Sequence, residues 1–403
     1  MSEKSEKIDI AVIGASPAGL MAARYAAMGG ANVRLFEKKE RIGDDPHPAN
    51  SFFKGMLSYA GEKVDSSYVV HEIDGMKLIS PGGHTITVET PGYAIDKTIF
   101  DRFYEQKTMK AGVDIQTGTE VLDVKRKEDG VVLKIKPVGA DSDQKEKVKA
   151  KIVIIADGIL SKNAKAVGLN TMKHPEDIAW GTELEIRAPG SGIGDAKFAE
   201  YYVGSHAPGW KSSYLPRGGD NAAIGVYVRY FGKDVSQFLN PWVEKFKELK
   251  NLSDDHFEIV ASKSAGDPIV TIPDKIYGAN VMVVGGAAGQ SGIGYAMRAG
   301  QIAGNVGAKA IAQDDLSEKS LSNYSSQWKK DLSVEHTFGR VGLETLRKMD
   351  DTEIDELFEV FENEDISSLI KGSAMDQGLS VLELMLRKKP SAILKAGAYF
   401  RNR

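Results

Sequence analysis

The sequence IAVIGASPAGLMAARYA at residues 10–26 constrains the fold of this chain more than any other stretch. An apolar run ends at Gly14, and an alanine-rich segment follows that stops at Gly29 and Gly30. This order predicts a buried strand, a tight glycine turn and a helix, and residues 32–37 predict a second strand. A βαβ unit built in this way is typical of a dinucleotide-binding fold.

Two features of the unit bear on a bound nucleotide. Gly14 allows the turn and Gly19 allows close helix packing, while Ser16 replaces the glycine expected between them. Ser16 is small, so its amide or hydroxyl can still contact a phosphate at the helix N-terminus. Glu37 ends the second strand, where a carboxylate can accept both hydroxyls of an adenosine ribose. The unit predicts a dinucleotide site for NAD or FAD, with a plain strand–helix turn as the alternative.

The rest of the chain alternates between two kinds of strand. KIVIIADG at 151–158 and NVMVVGGAAGQSGIGYAMRAG at 280–300 predict buried parallel strands, and residues 178–262 predict antiparallel ones. Residues 68–90 predict a hairpin, and residues 139–149 predict a charged loop. We therefore predict an α/β protein with three regions. They are a discontinuous cofactor domain (1–67, 96–176 and 271–315), an inserted antiparallel substrate domain (68–95 and 177–270) and a helical C-terminal region (316–403).

Composition excludes several classes of function. The chain has no cysteine, which rules out disulfides, thiolate metal sites, iron–sulfur clusters and a cysteine nucleophile. A net charge of -4 gives no basic field for nucleic acid, and the histidines lack ligand-like spacing, so no metal is predicted. No window of about 18 uninterrupted apolar residues occurs, and the N-terminal sequence MSEKSEK lacks a signal-peptide pattern. We therefore expect a cytoplasmic protein.

Over nearly its whole length the chain resembles the geranylgeranyl reductases, flavoenzymes that saturate isoprenoid chains. The resemblance rests on GASPAGLMAARYAA, FEKKERIG, AIDKTIFDRF, VIIADG, EYYVGSHAPG with LPRGG, GGAAG with GIGYAM, and KMDDTEIDELFEVF. It implies a glutathione-reductase-type, Rossmann-like FAD domain. It also implies FAD-dependent reduction of carbon–carbon double bonds in a prenyl lipid or similar apolar chain, with an external electron donor such as ferredoxin or NAD(P)H.

The resemblance also assigns cofactor roles to residues in several parts of the chain. In such flavoproteins the segments at 151–158 and 280–300 are the second and third nucleotide fingerprints, and the last helix directs its N-terminus at the flavin. The residues expected to bind FAD are Gly14, Ser16, Ala18, Gly19, Glu37, Lys38, Pro48, Ala49, Lys97, Val121, Asp157, Gly158, Gly285, Gly286, Gly292 and Ile293.

The sequence departs from the family pattern at some of these positions. Lys97 stands where an arginine usually contacts FAD, which keeps the charge and loses the planar fork. Gly286 stands where an acidic residue usually binds the ribityl chain, and Pro48 stands where a cysteine is often found. The aromatic substrate motif becomes KSSYLP at 211–216. These changes predict a retained scaffold with altered flavin contacts and an altered substrate wall.

Four side chains are candidates for catalytic work, and each has a structural alternative. His206 lies where the resemblance places the substrate pocket, and it could deliver a proton or bond to backbone at a strand end. Lys211 could bind an anionic head group or face solvent, and His47, near the predicted flavin loop, has the same two interpretations. Tyr214 could contact substrate or pack as a sheet aromatic.

The last stretch, residues 381–403, carries six basic residues against one acid, with apolar residues between them. It predicts either peripheral contact with an anionic membrane surface or a packed helix with a basic face. Two other functions are compatible with the sequence. One is a flavin monooxygenase or dehydrogenase that acts on a smaller substrate, and the other is a non-catalytic protein that kept the scaffold.

Overall fold

A computed structural model describes residues 8–362, apart from 141–143, 170, 173, 270–272 and 274, together with Arg387. Within these residues the strands are β1 (Ile8–Ile13), β2 (Val33–Phe36), β3 (Ser51–Phe53), β4 (Val69–Ile73), β5 (Gly75–Ile79), β6 (Thr85–Val88), β7 (Gly92–Ile95), β8 (Asp114–Gln116), β9 (Thr119–Lys127), β10 (Gly130–Pro137), β11 (Glu146–Ile155), β12 (Ala179–Arg187), β13 (Phe198–Tyr202), β14 (Lys211–Pro216), β15 (Asn221–Val228), β16 (Glu258–Asp267), β17 (Tyr277–Gly278) and β18 (Val281–Val283). The helices are α1 (Pro17–Met28), α2 (Lys97–Lys110), α3 (Lys162–Ala166), α4 (Ser236–Lys250), α5 (Ile293–Ala312), α6 (Glu318–Arg347) and α7 (Asp351–Glu362).

The larger sheet has eight strands and a parallel centre. Its order is β17-β18-β11-β1-β2-β8, with β10 antiparallel to β11 and β9 antiparallel to β10. β1 pairs in parallel with β2 on one side and with β11 on the other. The strand order therefore reverses at β1, because the next strand in the chain, β2, lies on one side of β1 and β11 lies on the other. Such a reversal opens a crevice at the carboxyl ends of β1 and β11. The predicted nucleotide fold is confirmed.

Local sequence explains why α1 begins and packs as it does. The Ser16 hydroxyl caps the helix by accepting the Gly19 amide at 3.3 Å, and Pro17 occupies the first turn. On the other side α1 meets α5 at very short range. A Cβ added to Gly300 would lie 2.1 Å from the carbonyl oxygen of Ala18, so only glycine fits there. The two helices consequently cover the parallel sheet as one layer.

The second large sheet has seven strands in the order β16-β12-β15-β14-β13-β5-β6. Its pairs are antiparallel except for β13 with β5. On one face, Trp242 and Phe246 of α4 pack on β14 and β15. The other face packs on the small sheet β3-β7-β4 and contacts the segment 47–50. The antiparallel prediction for residues 178–262 is confirmed.

Two segments differ from the prediction. Only β5 and β6 form a hairpin within residues 68–90, because the Asp74 amide donates to the Lys197 carbonyl at 2.7 Å and directs β5 to β13. β4 belongs to the small sheet instead. Residues 139–149 are not entirely loop, because β11 begins at Glu146 and pairs its backbone with β10 while its charged side chains remain in solvent.

The C-terminal region begins with α6 and α7, as its predicted helical character requires. α7 docks on the β5–β6 hairpin, where Asp355 accepts the Ser80 hydroxyl at 2.5 Å and the Gly82 amide at 2.6 Å. The basic stretch 381–403 lies outside the described residues, apart from Arg387. Among the helices that the structure describes, none is long and apolar enough to cross a membrane.

Candidate cofactor and substrate site

A groove of about 510 Å³ opens at the carboxyl ends of the central parallel strands. It gathers half of the residues predicted to bind the cofactor, namely Gly14, Ser16, Glu37, Lys38, Lys97, Val121, Asp157 and Gly158, and the catalytic candidate His47. The other predicted cofactor residues do not line it: Ala18 and Gly19 in α1, Pro48 and Ala49 in the segment before β3, Gly285 and Gly286 after β18, and Gly292 and Ile293 at the start of α5.

The glycine turn at the end of β1 is set by close backbone approaches. Gly14 has φ of +95°, and a Cβ there would lie 2.6 Å from the carbonyl oxygen of Ala156. A Cβ on Gly19 would lie 1.9 Å from the carbonyl oxygen of Gly14. The Ser16 hydroxyl also lies 3.3 Å from the Ala156 carbonyl, which ties the turn to the end of β11. These contacts leave the amides at the start of α1 beside the groove, where phosphate binding is favoured.

Glu37 ends β2 as a buried carboxylate at the groove. Its Oε2 accepts the Ala15 amide at 2.7 Å, and its Oε1 accepts the Lys39 amide at 2.9 Å. Each oxygen of an ionised carboxylate can accept a further hydrogen bond. Glu37 is therefore held in position by backbone donors and can still accept the hydroxyls of a ribose.

The end of β11 supplies the second wall of the groove. The Asp157 carboxylate accepts the Asn163 amide group at 2.9 Å. Burial raises the pKa of Asp157, although hydrogen bonds from Ser161 and Asn163 lower it. Gly158 has φ of +92°, and a Cβ added there would meet no atom within 4 Å. The groove therefore has open space beside backbone, which fits an extended dinucleotide.

The turn after β18 is closed by contacts of its own. Gly285 donates its amide to Gln290 Oε1 at 2.7 Å, and Gln290 Nε2 donates to the Tyr324 hydroxyl at 2.8 Å. That hydroxyl donates to the Val283 carbonyl at 2.8 Å. Gly286 lies nearer the groove, since a Cβ there would be 3.2 Å from Ile159 Cγ2 and 3.8 Å from Gly158 Cα. Residues 284–292 contain no acid of their own, and the Asp267 carboxylate from β16 accepts the Ser291 hydroxyl at this turn.

Lys97 separates the groove from a smaller polar cavity of about 140 Å³. Its buried ammonium contacts both oxygens of Asp101 at 2.5 Å. Burial raises the pKa of Asp101, and Lys97 partly offsets that effect. His47 lies in the same region with Nε2 3.4 Å from the Gly266 carbonyl, and part of its ring is exposed. Desolvation by the surrounding protein lowers the pKa of His47, against the opposing charge of Asp267. The lysine expected to contact FAD is therefore paired with an acid on its own helix.

The face of the seven-stranded sheet toward the small sheet carries Lys211 and Ser213 of β14. Because side chains alternate along a strand, both point away from α4. The Lys211 ammonium lies 3.3 Å from the ring centre of Tyr201, with Trp210 at 5.2 Å and Tyr227 at 5.8 Å. Three aromatic rings thus lie around the half-buried ammonium, which forms no ion pair among the described contacts.

Two catalytic candidates lie on the opposite face of that sheet. Tyr214 is fully buried, packs on Phe246 of α4 and donates its hydroxyl to the Ile193 carbonyl. His206 stacks near Trp242, with ring centres 6.2 Å apart, and burial lowers its pKa. The structure therefore brings His47 to the groove and Lys211 to the inner face. Tyr214 is packed under α4, and His206 lies exposed at the edge of that packing, beside Trp242.

Comparisons with known proteins agree with this geometry. The pyridine nucleotide-disulphide oxidoreductase family matches residues 8–179. Digeranylgeranylglycerophospholipid reductase 1 of Methanothermobacter thermautotrophicus is 30% identical over 98% of both chains. The corresponding reductase of Methanocaldococcus jannaschii is 31% identical, again over 98% of both chains. The chain belongs to the digeranylgeranylglycerophospholipid reductase family.

A solved structure supports the fold of this reductase family member. A geranylgeranyl bacteriochlorophyll reductase-like protein from Thermoplasma acidophilum superposes with a TM-score of 0.85 at 23% identity, over 98% of this chain and 99% of that one. The fold class predicted from the sequence is thereby confirmed.

Sequence reasoning missed several polar residues around the site of this reductase. Asp101 lies four positions after Lys97 on a predicted helix, so their ion pair had a visible signal. Glu183 alternates with the apolar residues of β12, which predicts its face but not its burial. Asn50, which bonds to Glu183, and Gln290, which closes the turn after β18, had no local signal because their partners depend on tertiary contacts.

Proposed function

We propose that the groove binds FAD, with the adenosine ribose on Glu37 and the pyrophosphate at the start of α1. The fixed Glu37 carboxylate, the tight turn at Gly14 and the open space at Gly158 support this assignment. Glu37 favours an adenosine nucleotide, and the flavin follows from family membership. FAD supplies hydride chemistry when it is bound, and the residues of this chain bind it and exclude water.

We infer that the protein reduces carbon–carbon double bonds in the prenyl chains of a glycerophospholipid. The observation that carries this function is the match, over 98% of both chains, to relatives named digeranylgeranylglycerophospholipid reductase. The cationic Lys211 among aromatic rings suits a substrate with an anionic head group and an apolar chain. The inner face of the seven-stranded sheet would then form the wall above the flavin.

Two further partners belong to the same proposal. The flavin needs an external electron donor for each turnover, and ferredoxin or NAD(P)H fits that role. A membrane-resident lipid substrate also favours peripheral contact with a membrane surface, for which the basic stretch 381–403 is the candidate.

The experiment begins with the absorption spectrum of the purified protein, in which oxidised flavin gives bands at about 370 and 450 nm. Mass spectrometry of the released cofactor identifies FAD. The protein is then reduced anaerobically and mixed with a digeranylgeranyl glycerophospholipid in detergent, and we expect a product with two added hydrogens per reduced bond.

Three results would contradict the proposal. A protein that neither contains nor binds flavin would leave only the scaffold. A hydroxylated product formed in air would indicate a monooxygenase. An unchanged lipid after reduction of the flavin would remove the prenyl lipid from the candidate substrates.

A further inference from the structure

Glu183 is a buried acid between the two halves of the molecule. It lies on β12 with 6% exposure, paired across the sheet with Gly225 and Lys263. Leu184 and Ile186 of the same strand pack on the α4 face. Of these, Leu184 is adjacent to Glu183, so the alternation of side chains directs Glu183 to the opposite, inner face. The carboxyl group therefore faces the cofactor half of the protein.

A side chain from the cofactor half reaches Glu183 directly. Asn50 donates from Nδ2 to Glu183 Oε1 at 2.5 Å. Asn50 lines the 140 Å³ cavity together with His47 and Lys97, and those two residues also line the cofactor groove. Glu183 is thus one hydrogen bond away from the wall of the smaller cavity, which shares His47 and Lys97 with the groove.

The surroundings of Glu183 combine cations with a neutral donor. The hydrogen bond that Glu183 accepts comes from the side-chain amide of Asn50, and such a bond does not require the carboxyl group to be charged. Lys263 contacts Glu185 directly and neutralises that acid. The titratable groups that face Glu183 are Lys211 and Arg217 around β14, Lys263 of β16, Glu185 of β12 and Tyr227 of β15.

Burial determines the protonation of this acid. Desolvation raises the pKa of Glu183 to about 8, although the charges of Arg217 and Lys211 act to lower it. At neutral pH the side chain is therefore a carboxylic acid with an O–H donor. The same cations stabilise the carboxylate that remains after proton loss, which is the balance a general acid needs.

We propose that Glu183 is the catalytic residue that donates the proton during double-bond reduction, an inference that rests on the proposed function. As the π bond breaks, one carbon gains a hydride, which reduced flavin supplies, and the other gains the proton from Glu183. Two electrons thus pass to the alkene, and Glu183 becomes a carboxylate. Glu183 would regain a proton from solvent after each turnover, and the external electron donor would return bound flavin to its reduced form.

The first test reads protonation without turnover. Infrared spectra of the purified wild-type protein are recorded across a pH series and compared with those of Glu183→Gln. We expect a protonated-carboxyl band at pH 7 that titrates near 8 and is absent from the variant. Glu200→Gln is the matched control, because Glu200 lies in the same sheet and pairs with Lys250 on the α4 face. A wild-type spectrum without this band at pH 7 overturns the proposal.

The second test measures single-turnover oxidation of the reduced protein by the prenyl lipid. We expect Glu183→Gln to slow it about 100-fold or more, Glu183→Asp to recover part of the rate, and Glu200→Gln to match the wild type. Flavin content, lipid binding and flavin reduction should be unchanged in every variant. The wild-type rate should fall as pH rises through 8, a readout that decides the proposal even if Glu183→Gln does not fold.

The possible results distinguish a failure of the proposed function from a failure of the proposed role of Glu183. A wild-type protein that never oxidises with lipid contradicts the proposed function. A wild-type protein that does so, with Glu183→Gln equally fast or with a rate independent of pH around 8, contradicts the role of Glu183 alone.

Discussion

The Ala15 amide donates a 2.7 Å hydrogen bond to the carboxylate of Glu37, which fixes the acid at the end of β2 to the turn before α1. A second amide, that of Lys39, holds the other oxygen at 2.9 Å. One short contact thus joins the two sequence features that define the nucleotide site. The proposed ribose-binding group and the proposed phosphate-binding turn are therefore held together by the protein's own hydrogen bonds.

Replacing Glu37 with glutamine should weaken FAD binding. The amide removes the charge that strengthens hydrogen bonds from ribose hydroxyls, at a cost of about 1.5–3 kcal/mol, or roughly 10- to 150-fold in Kd. Calorimetric titration of cofactor-depleted protein with FAD measures the change. Glu40→Gln, an exposed acid near the same loop, is the control. Equal affinity in Glu37→Gln and the wild type would remove Glu37 from the cofactor site.

Gly14→Ala should destabilise the protein more than Gly30→Ala. Both glycines have a positive φ near 90°, so both variants carry backbone strain. Only at Gly14 would the new Cβ meet backbone, 2.6 Å from the Ala156 carbonyl, while Gly30 has nothing within 4 Å. We expect an extra loss of about 1 kcal/mol or more in the free energy of unfolding for Gly14→Ala. Equal losses in denaturant titrations would show that the turn tolerates a side chain.

Gly286→Asp should tighten FAD binding by placing a carboxylate beside Gly158. Gly286 has no left-handed φ, and its added Cβ would lie 3.2 Å from Ile159 Cγ2, so a shift of a few tenths of an ångström accommodates it. One charged hydrogen bond to a ribityl hydroxyl is worth about 1.5 kcal/mol, or roughly tenfold in Kd. Gly286→Ala isolates the steric part. Weaker binding in the aspartate variant than in the alanine variant would contradict this placement of the ribityl chain.

The contact between α7 and the β5–β6 hairpin should depend on pH. The hydrogen bond between His84 and Glu362 raises the pKa of His84 and lowers the pKa of Glu362. The histidine contribution is present at low pH and lost as pH rises through its raised value, which lies above 6.5. The glutamate contribution is present at high pH and lost as pH falls through its lowered value, which lies below 4.5.

Hydrogen exchange at the Thr85 amide reports this contact, because that amide donates to Glu362 Oε1 at 3.1 Å. After correction for the intrinsic pH dependence of exchange, protection of this amide should be greatest between the pKa of Glu362 and the pKa of His84. In His84→Gln the protection should no longer fall as pH rises through the pKa of His84. A protection profile that His84→Gln leaves unchanged would mean that the ion pair contributes nothing to docking.

The cofactor half could be predicted from sequence because its determinants are local. Gly14, Ser16 and Glu37 belong to one βαβ unit, and their spacing alone brings them to one edge of the sheet. The antiparallel strands also followed from alternation. The side-chain contacts of Gln290 could not be predicted, because the closure of its turn depends on Tyr324 in a different helix.

The substrate side was harder to predict for a geometric reason. Lys211 and Tyr214 are three positions apart on one strand, so the two side chains must point to opposite faces. Sequence alone did not show which face α4 would cover. The partner of Glu183 is Asn50, which lies just before β3 and 133 positions away in the chain. Burial of that acid therefore appeared only with the tertiary structure.

The most direct test of the account is the stoichiometry of anaerobic oxidation. Protein carrying reduced flavin is mixed with excess digeranylgeranyl glycerophospholipid, while absorbance near 450 nm and the mass of the lipid are followed together. The account predicts that each flavin oxidised saturates one carbon–carbon bond of the lipid. Flavin that stays reduced in the presence of this lipid, or that oxidises without saturating it, would contradict the account.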